Sequence, residues 1–158
     1  MENNTIKQQL EHVIREEEEL VFDSFTAKDA FAIGGALIAR AEKEGKKITV
    51  GISLYRRNVF YASMDGCTPD NDSWLRKKEN TVNHFYKSSH RVALEAKAGG
   101  YDLYEEFQLS RQDVVPAGGA FPIKINGMGI VGVIALSGMQ SHEDHGYVAD
   151  AIREYTKK

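Results

Sequence analysis

The sequence predicts an α/β protein of the α+β type, in which helices pack on a mainly antiparallel sheet. Two observations support this fold class. Apolar residues recur at helical spacing in several segments, and two pairs of short apolar segments are each joined by a tight turn. The order along the chain is helices, a hairpin, further helices, a second hairpin and a last helix. That order is typical of antiparallel strands covered by helices.

Composition predicts a single folded domain over residues 1–158. Hydrophobic residues make up 42% of the chain and charged residues 27%, and the formal net charge is -3. We therefore expect no nucleic-acid partner, and no membrane partner because no apolar segment approaches the roughly 20 residues of a membrane helix. Cys67 is the only cysteine, which excludes an internal disulfide. The polar N-terminus has no signal region, which favours a cytoplasmic location.

The N-terminal part of the chain predicts two helices. Apolar spacing places the first over residues 4–18, within an N-terminal helical segment 1–19, and we interpret its acidic run as a solvated face. Residues 20–22 follow as a short strand. The second helix begins after Thr26, where Asp29 completes a capping box, and it ends at Gly45. The glycine pair Gly34-Gly35 inside this helix predicts close approach by another element.

Two hairpins supply the predicted sheet. Residues 48–54 and 59–64 have the composition of strands and form the first hairpin. Residues 121–125 and 128–136 form the second. Its strands meet at Asn126-Gly127, which is a strong signal for a two-residue turn.

A third helix starts near residue 70 and places Lys78 in the middle of its apolar face. Such a lysine either packs its stem on apolar neighbours or holds its ammonium at a pocket wall. A short helix over residues 91–98 and an irregular connection over 101–116 follow. We find no phosphate loop in the glycine pair Gly118-Gly119, because the spacing and the lysine that such a loop requires are absent.

The last helix begins at Ser141, which we expect to be its cap, and opens with two histidines and two carboxylates. His142 and His145 lie three residues apart, so both imidazoles face one side and form a candidate metal pair. His145 also shares the buried stripe of the helix. It is therefore either a structural histidine or one that faces a ligand.

Several separated motifs occur together in one order. They are SWLRKK at residues 73–78, Ser88-Ser89, GGAFPI at 118–123, Gly132, Ser137-Gly138 and Asp144-His145. From about residue 20 onward, the chain resembles the haem-degrading-domain superfamily and, within it, uncharacterised protein family 0303. The resemblance implies a profilin-like fold with a five-stranded antiparallel sheet flanked by helices. It also implies assembly into homo-oligomers.

The same resemblance makes haem or a related tetrapyrrole the first candidate ligand and cofactor. The expected site residues are Trp74, Arg76, Lys77, Lys78, Ser88, Gly119, Phe121, Ser137 and His145. In this hypothesis the two aromatic residues form apolar walls, the basic residues pair with carboxylates, and His145 is the ligand or proton-handling group. Two alternatives stay open: a non-catalytic homo-oligomeric assembly or adaptor protein, and an enzyme or accessory protein acting on small organic acids. No catalytic residue is identified.

Overall fold

The structure is a computed structural model that describes residues 2–157, with side chains from residue 5 onward. Within these residues the helices are α1 (Glu2–Glu19), α2 (Ala27–Glu44), α3 (Pro69–Phe85), α4 (Ser89–Gly99), α5 (Leu103–Phe107) and α6 (Ser141–Thr156). The strands are β1 (Thr49–Leu54), β2 (Arg57–Ser63), β3 (Ala120–Ile125) and β4 (Gly129–Ser137). The predicted class, a sheet with packed helices, is confirmed.

The sheet of the described residues has four strands in the order β2-β1-β4-β3, and all neighbours are antiparallel. The expected fifth strand is reduced to one parallel bridge between Phe22 and Ile125. The Phe22 N–H donates to the Lys124 carbonyl, and the Asn126 N–H donates to the Phe22 carbonyl, both at 2.8 Å. Pairing stops there because the chain turns toward the cap of α2 at Thr26.

The two hairpins use different turns. In the first, Tyr55 and Arg56 form a two-residue turn with φ of 54° and 64°, which matches the twist of a hairpin. In the second, Ile125 pairs with Gly129, so the loop contains Asn126, Gly127 and Met128. The prediction of a two-residue turn was therefore wrong by one residue. Gly129 has φ of 115°, a conformation that glycine allows at the end of such a loop.

Helices cover both faces of the sheet. Alternate residues of β1 and β4 pack against α2 and α6 in the main core, which includes Ile33, Leu37, Val148 and Ile152. The opposite face packs against Leu75 and Val82 of α3 in a smaller core cluster. Among the described residues, every helix falls short of the length and hydrophobicity that crossing a bilayer requires. The helices that line the cavities described below are α1, α3, α4 and α6.

The structure confirms three predictions made for α2: its N-terminal capping box, its end at a glycine, and a close approach by another element. The Thr26 N–H donates to the Asp29 carboxylate at 2.7 Å, and Gly45 ends the helix with φ of 70°. A Cβ atom on Gly34 would lie 2.3 Å from the Phe60 ring of β2, which is the predicted close approach. Gly35 faces open space instead.

Candidate functional site

The glycine pair Gly118-Gly119 lies between two cavities. One, of about 790 Å³, is the histidine cavity, whose lining includes His12, Glu16, His90, His142, His145 and Arg153. The other, of about 470 Å³, is the lysine cavity, whose lining includes Trp74, Lys78, Ser137, Gly138, Ser141 and Asp144. Both volumes are in the range of small-molecule sites. Gly118 packs beside His90, whereas Gly119 packs beside Lys78.

A buried ion pair joins α3 to α6 at the lysine cavity. Lys78 Nζ donates to Asp144 Oδ2 at 2.8 Å and to the Leu136 carbonyl at 3.1 Å. The two charged residues are 3% and 1% exposed, so the ammonium is held at the cavity wall instead of reaching bulk solvent. Burial lowers the pKa of Lys78 and raises the pKa of Asp144, while each charge partly counters the shift of the other.

The start of α6 and a glycine with positive φ position this pair. Gln140, and not Ser141 as predicted, occupies the N-cap position, and Asp144 Oδ1 accepts from the Met139 N–H at 3.0 Å. Ser141 does not cap because it is already the first residue of the helix. Gly119 has φ of 134°, and a Cβ atom there would lie 2.8 Å from Lys78 Nζ. Glycine is therefore required beside the amine.

A second buried cluster surrounds Glu16 at the histidine cavity. His145 Nε2 lies 2.8 Å from Glu16 Oε1, Arg153 donates to Glu16 Oε2 at 3.1 Å, and His12 lies 3.6 Å from the same oxygen. Burial alone would raise the pKa of Glu16, but His145, Arg153 and His12 outweigh it and hold that pKa below its usual value. Interpreting the whole acidic run as solvated was wrong for Glu16, which is 6% exposed.

Two imidazoles lie against each other at the inner side of this cavity, with their ring planes tilted by 34°. The rings of His90 and His145 have centroids 4.6 Å apart. Burial, together with repulsion from His145, lowers the pKa of His90 to about 4, so this ring is neutral near pH 7. His145 Nδ1 is buried and has no hydrogen-bond partner. Within the described part of the chain, no three His, Cys, Asp or Glu side chains are arranged to hold a metal ion.

The structure divides the residues that the sequence grouped into one site. Trp74, Lys78 and Ser137 line the lysine cavity, with Gly119 packed beside the amine. His145 follows Asp144 directly but faces the histidine cavity. Consecutive helical residues point about 100° apart, which explains the division.

The other predicted site residues line neither cavity. Phe121 is 1% exposed in the core, and its ring contacts that of His145. Ser88 caps α4 and donates its hydroxyl to Glu17 at 2.9 Å. Arg76 donates to the Gln112 carbonyl at 3.3 Å, and the Lys77 ammonium lies 5.9 Å from the centre of the Trp74 ring.

Sequence reasoning missed His12, Glu16 and His90. These residues belong to α1 and α4, and they meet α6 only through tertiary packing. The available signal was the position of His90 directly after the Ser88-Ser89 motif. That position predicts an inward-facing residue in the first turn of a helix. It does not predict which residues of other helices His90 contacts.

Comparisons with known proteins agree with this architecture. The family described as "Haem degrading protein HbpS-like" matches residues 25–153. A UPF0303 protein of Brucella anthropi is 39% identical over 149 residues, which cover 94% of this chain and 88% of that protein. A UPF0303 protein of Mesorhizobium japonicum is 42% identical over 141 residues, which cover 89% of this chain and 84% of that protein.

Solved structures share the fold at lower sequence identity. The crystal structure of the Ybr137w protein has a TM-score of 0.89 and 23% identity, covering 99% of this chain and 92% of that one. The PduOC:heme complex has a TM-score of 0.71 and 19% identity, covering 82% of this chain and 94% of that one. At these identities the structures establish the fold alone. The family match and the two relatives show that the chain belongs to the HbpS-like haem-degrading protein family and, within it, to the UPF0303 proteins.

Proposed function

We propose that the protein binds a haem-like tetrapyrrole in the histidine cavity. The observation that carries this proposal is the convergence of four of the five histidines of the chain, His12, His90, His142 and His145, on one cavity of about 790 Å³. They come from α1, α4 and α6, which are distant in sequence. Membership of the family described as haem degrading, and the haem complex of a protein with the same fold, support the choice of ligand.

The histidine arrangement favours a metal carried inside a prosthetic group over a bare metal ion. A bare zinc ion needs three or four protein ligands at once, and the described residues offer no such set. Haem iron needs only one or two axial ligands from the protein, because the macrocycle supplies the others. Exposed imidazoles on a cavity wall meet that smaller demand.

We assign the axial role to His142, with His12 as the second candidate, because both rings are exposed on the cavity lining. His145, which the sequence favoured, would act through Glu16, since its Nε2 is bound to that carboxylate and its Nδ1 is buried. Arg153 lines the same cavity and would pair with a propionate. When bound, the haem would supply the redox chemistry of its iron.

A haemin titration of the purified protein tests the proposal. We expect a shifted Soret band at micromolar haemin, and we expect His142→Ala to lose or move that band. His84→Ala is the matched control, because His84 is exposed on α3, packs on Phe85 and does not line the cavity. The proposal fails if no Soret shift appears, or if the band survives unchanged in both His142→Ala and the double variant His12→Ala, His142→Ala.

We infer further that the chain acts as a cytoplasmic homo-oligomer. The supporting observation is a set of large hydrophobic side chains left exposed: Phe31, Tyr55, Tyr61, Trp74, Tyr86, Phe107 and Met128. Light scattering of the purified protein should give a mass that is a multiple of 17.7 kDa. A monomeric mass across the working concentration range would contradict assembly.

A further inference from the structure

The lysine cavity contains an amine in an unusual setting. Lys78 is 3% exposed, yet it lines a cavity of about 470 Å³ that is distinct from the histidine cavity. A lysine ammonium has three donors, and in this structure two of them meet Asp144 and the Leu136 carbonyl. The amine is therefore held in place by described partners while it borders a space large enough for a small molecule.

The charge balance of this cavity disfavours an anionic ligand. Asp144 lies 2.8 Å from the Lys78 ammonium and neutralises it, and Asp70 adds a further carboxylate to the lining. A phosphate or a carboxylate would find no excess positive charge there. Trp74, one helical turn before Lys78 and 41% exposed, supplies an apolar wall.

We propose that Lys78 reacts with small uncharged aldehydes in this cavity and forms an imine at Nζ. Asp144 first accepts a proton from the ammonium, and the free amine then attacks the carbonyl carbon. A C–N bond forms as the C=O π bond breaks, and the carbonyl oxygen takes a proton from the new N–H₂⁺ group to become a hydroxyl. Asp144 returns its proton to that hydroxyl, water leaves, and a protonated imine remains. No electrons are exchanged with a cofactor, so the step requires only the aldehyde.

The surroundings of both groups suit these roles. Burial lowers the pKa of Lys78 and raises that of Asp144, which makes a proton transfer between them easier than it is in water. Desolvation of a buried lysine is one of the ways in which proteins activate Schiff-base nucleophiles. This site does not depend on the haem proposal, and either can fail alone.

Reductive trapping of the wild-type protein tests the inference. The protein is treated at neutral pH with butanal and sodium cyanoborohydride, which converts an imine to a stable secondary amine, and the modified lysines are quantified by peptide mass analysis. Lys77, the neighbouring lysine, is the internal control. We expect Lys78 to be modified roughly tenfold faster than Lys77, because burial lowers the pKa of Lys78 and Asp144 is placed to accept its proton.

Two further readouts distinguish a site from general reactivity. The modification rate of Lys78 should saturate with butanal concentration, and 1-butanol should protect Lys78 but not Lys77. In Lys78→Arg, labelling at that position should disappear while the other lysines react as before. Modification of Lys78 no faster than Lys77 would overturn the proposal, and so would a linear, unprotected rate. Lys78 would then be a structural ion-pair partner only.

Discussion

His145 on α6 and Glu16 on α1 are 129 positions apart, and their Nε2 and Oε1 atoms lie 2.8 Å from each other. This contact fastens the N-terminal helix, which packs mainly on α4, to the last helix of the chain. Arg153 binds the second oxygen of the same carboxylate. One buried acidic residue therefore joins α1 to α6 and forms part of the wall of the histidine cavity.

Replacing Glu16 should loosen the N-terminal helix. Glu16→Gln keeps the shape of the side chain but removes the charge that Arg153 and His145 meet, so we expect the free energy of unfolding to fall by roughly 1–3 kcal/mol. Glu18→Gln, an exposed position on the same helix, is the matched control and should change it by less than about 0.5 kcal/mol. Urea denaturation of both variants checks this. Equal free energies of unfolding for Glu16→Gln and Glu18→Gln would contradict a structural role for the Glu16 cluster.

The Lys78–Asp144 pair should show strong non-additivity. Lys78→Met leaves the Asp144 carboxylate buried without its cation, and we expect a loss of roughly 3–5 kcal/mol. The double variant Lys78→Met, Asp144→Leu removes both charges and should be more stable than the single variant. A double-mutant cycle by chemical denaturation measures the coupling. The cycle also needs the single variant Asp144→Leu. If the loss of stability in the double variant equals the sum of the losses in the two single variants, the pair is not energetically linked.

The neighbouring glycines of α2 should respond in opposite directions to the same change. Gly34→Ala places a methyl group 2.3 Å from the Phe60 ring, which must shift, so we expect a loss of roughly 1–3 kcal/mol. Gly35→Ala meets no atom within 4 Å and should stabilise the helix by about 0.5–1 kcal/mol. Thermal unfolding of the two variants measures both changes in stability. A stabilising Gly34→Ala would contradict the close packing of α2 on β2.

Glu79 on α3 should make stability depend on pH. Burial raises its pKa in the folded protein to about 7, above the usual 4.5. Between these two pH values the folded state holds a proton that the unfolded state has lost, so this residue makes the protein less stable as pH rises from about 4.5 to 7.

Glu79→Gln should abolish this dependence. We expect it to raise the free energy of unfolding by roughly 1–3 kcal/mol at pH 8 and to have little effect at pH 4.5. Urea denaturation at the two pH values measures the difference. Equal effects at both would mean that the folded and unfolded states share one pKa at this position.

Local sequence signals predicted the elements that depend on near neighbours. The capping box of Thr26 and Asp29 and the glycine that ends α2 are decided within a few residues, and the structure has both. Such signals were less reliable at the ends of elements that rely on distant pairing. Residues 20–22 form a bridge where a strand was expected, because only Phe22 reaches the edge of β3.

What the sequence determined by itself was the fold class, most helices and hairpins, the family, and the burial of His145. What only the tertiary structure decided was the partner of each polar residue. Asp144 and His145 are adjacent, yet one meets Lys78 of α3 and the other meets Glu16 of α1. Periodicity shows which face of a helix is buried, but a partner is chosen by packing between distant segments. For that reason the single predicted site became two cavities.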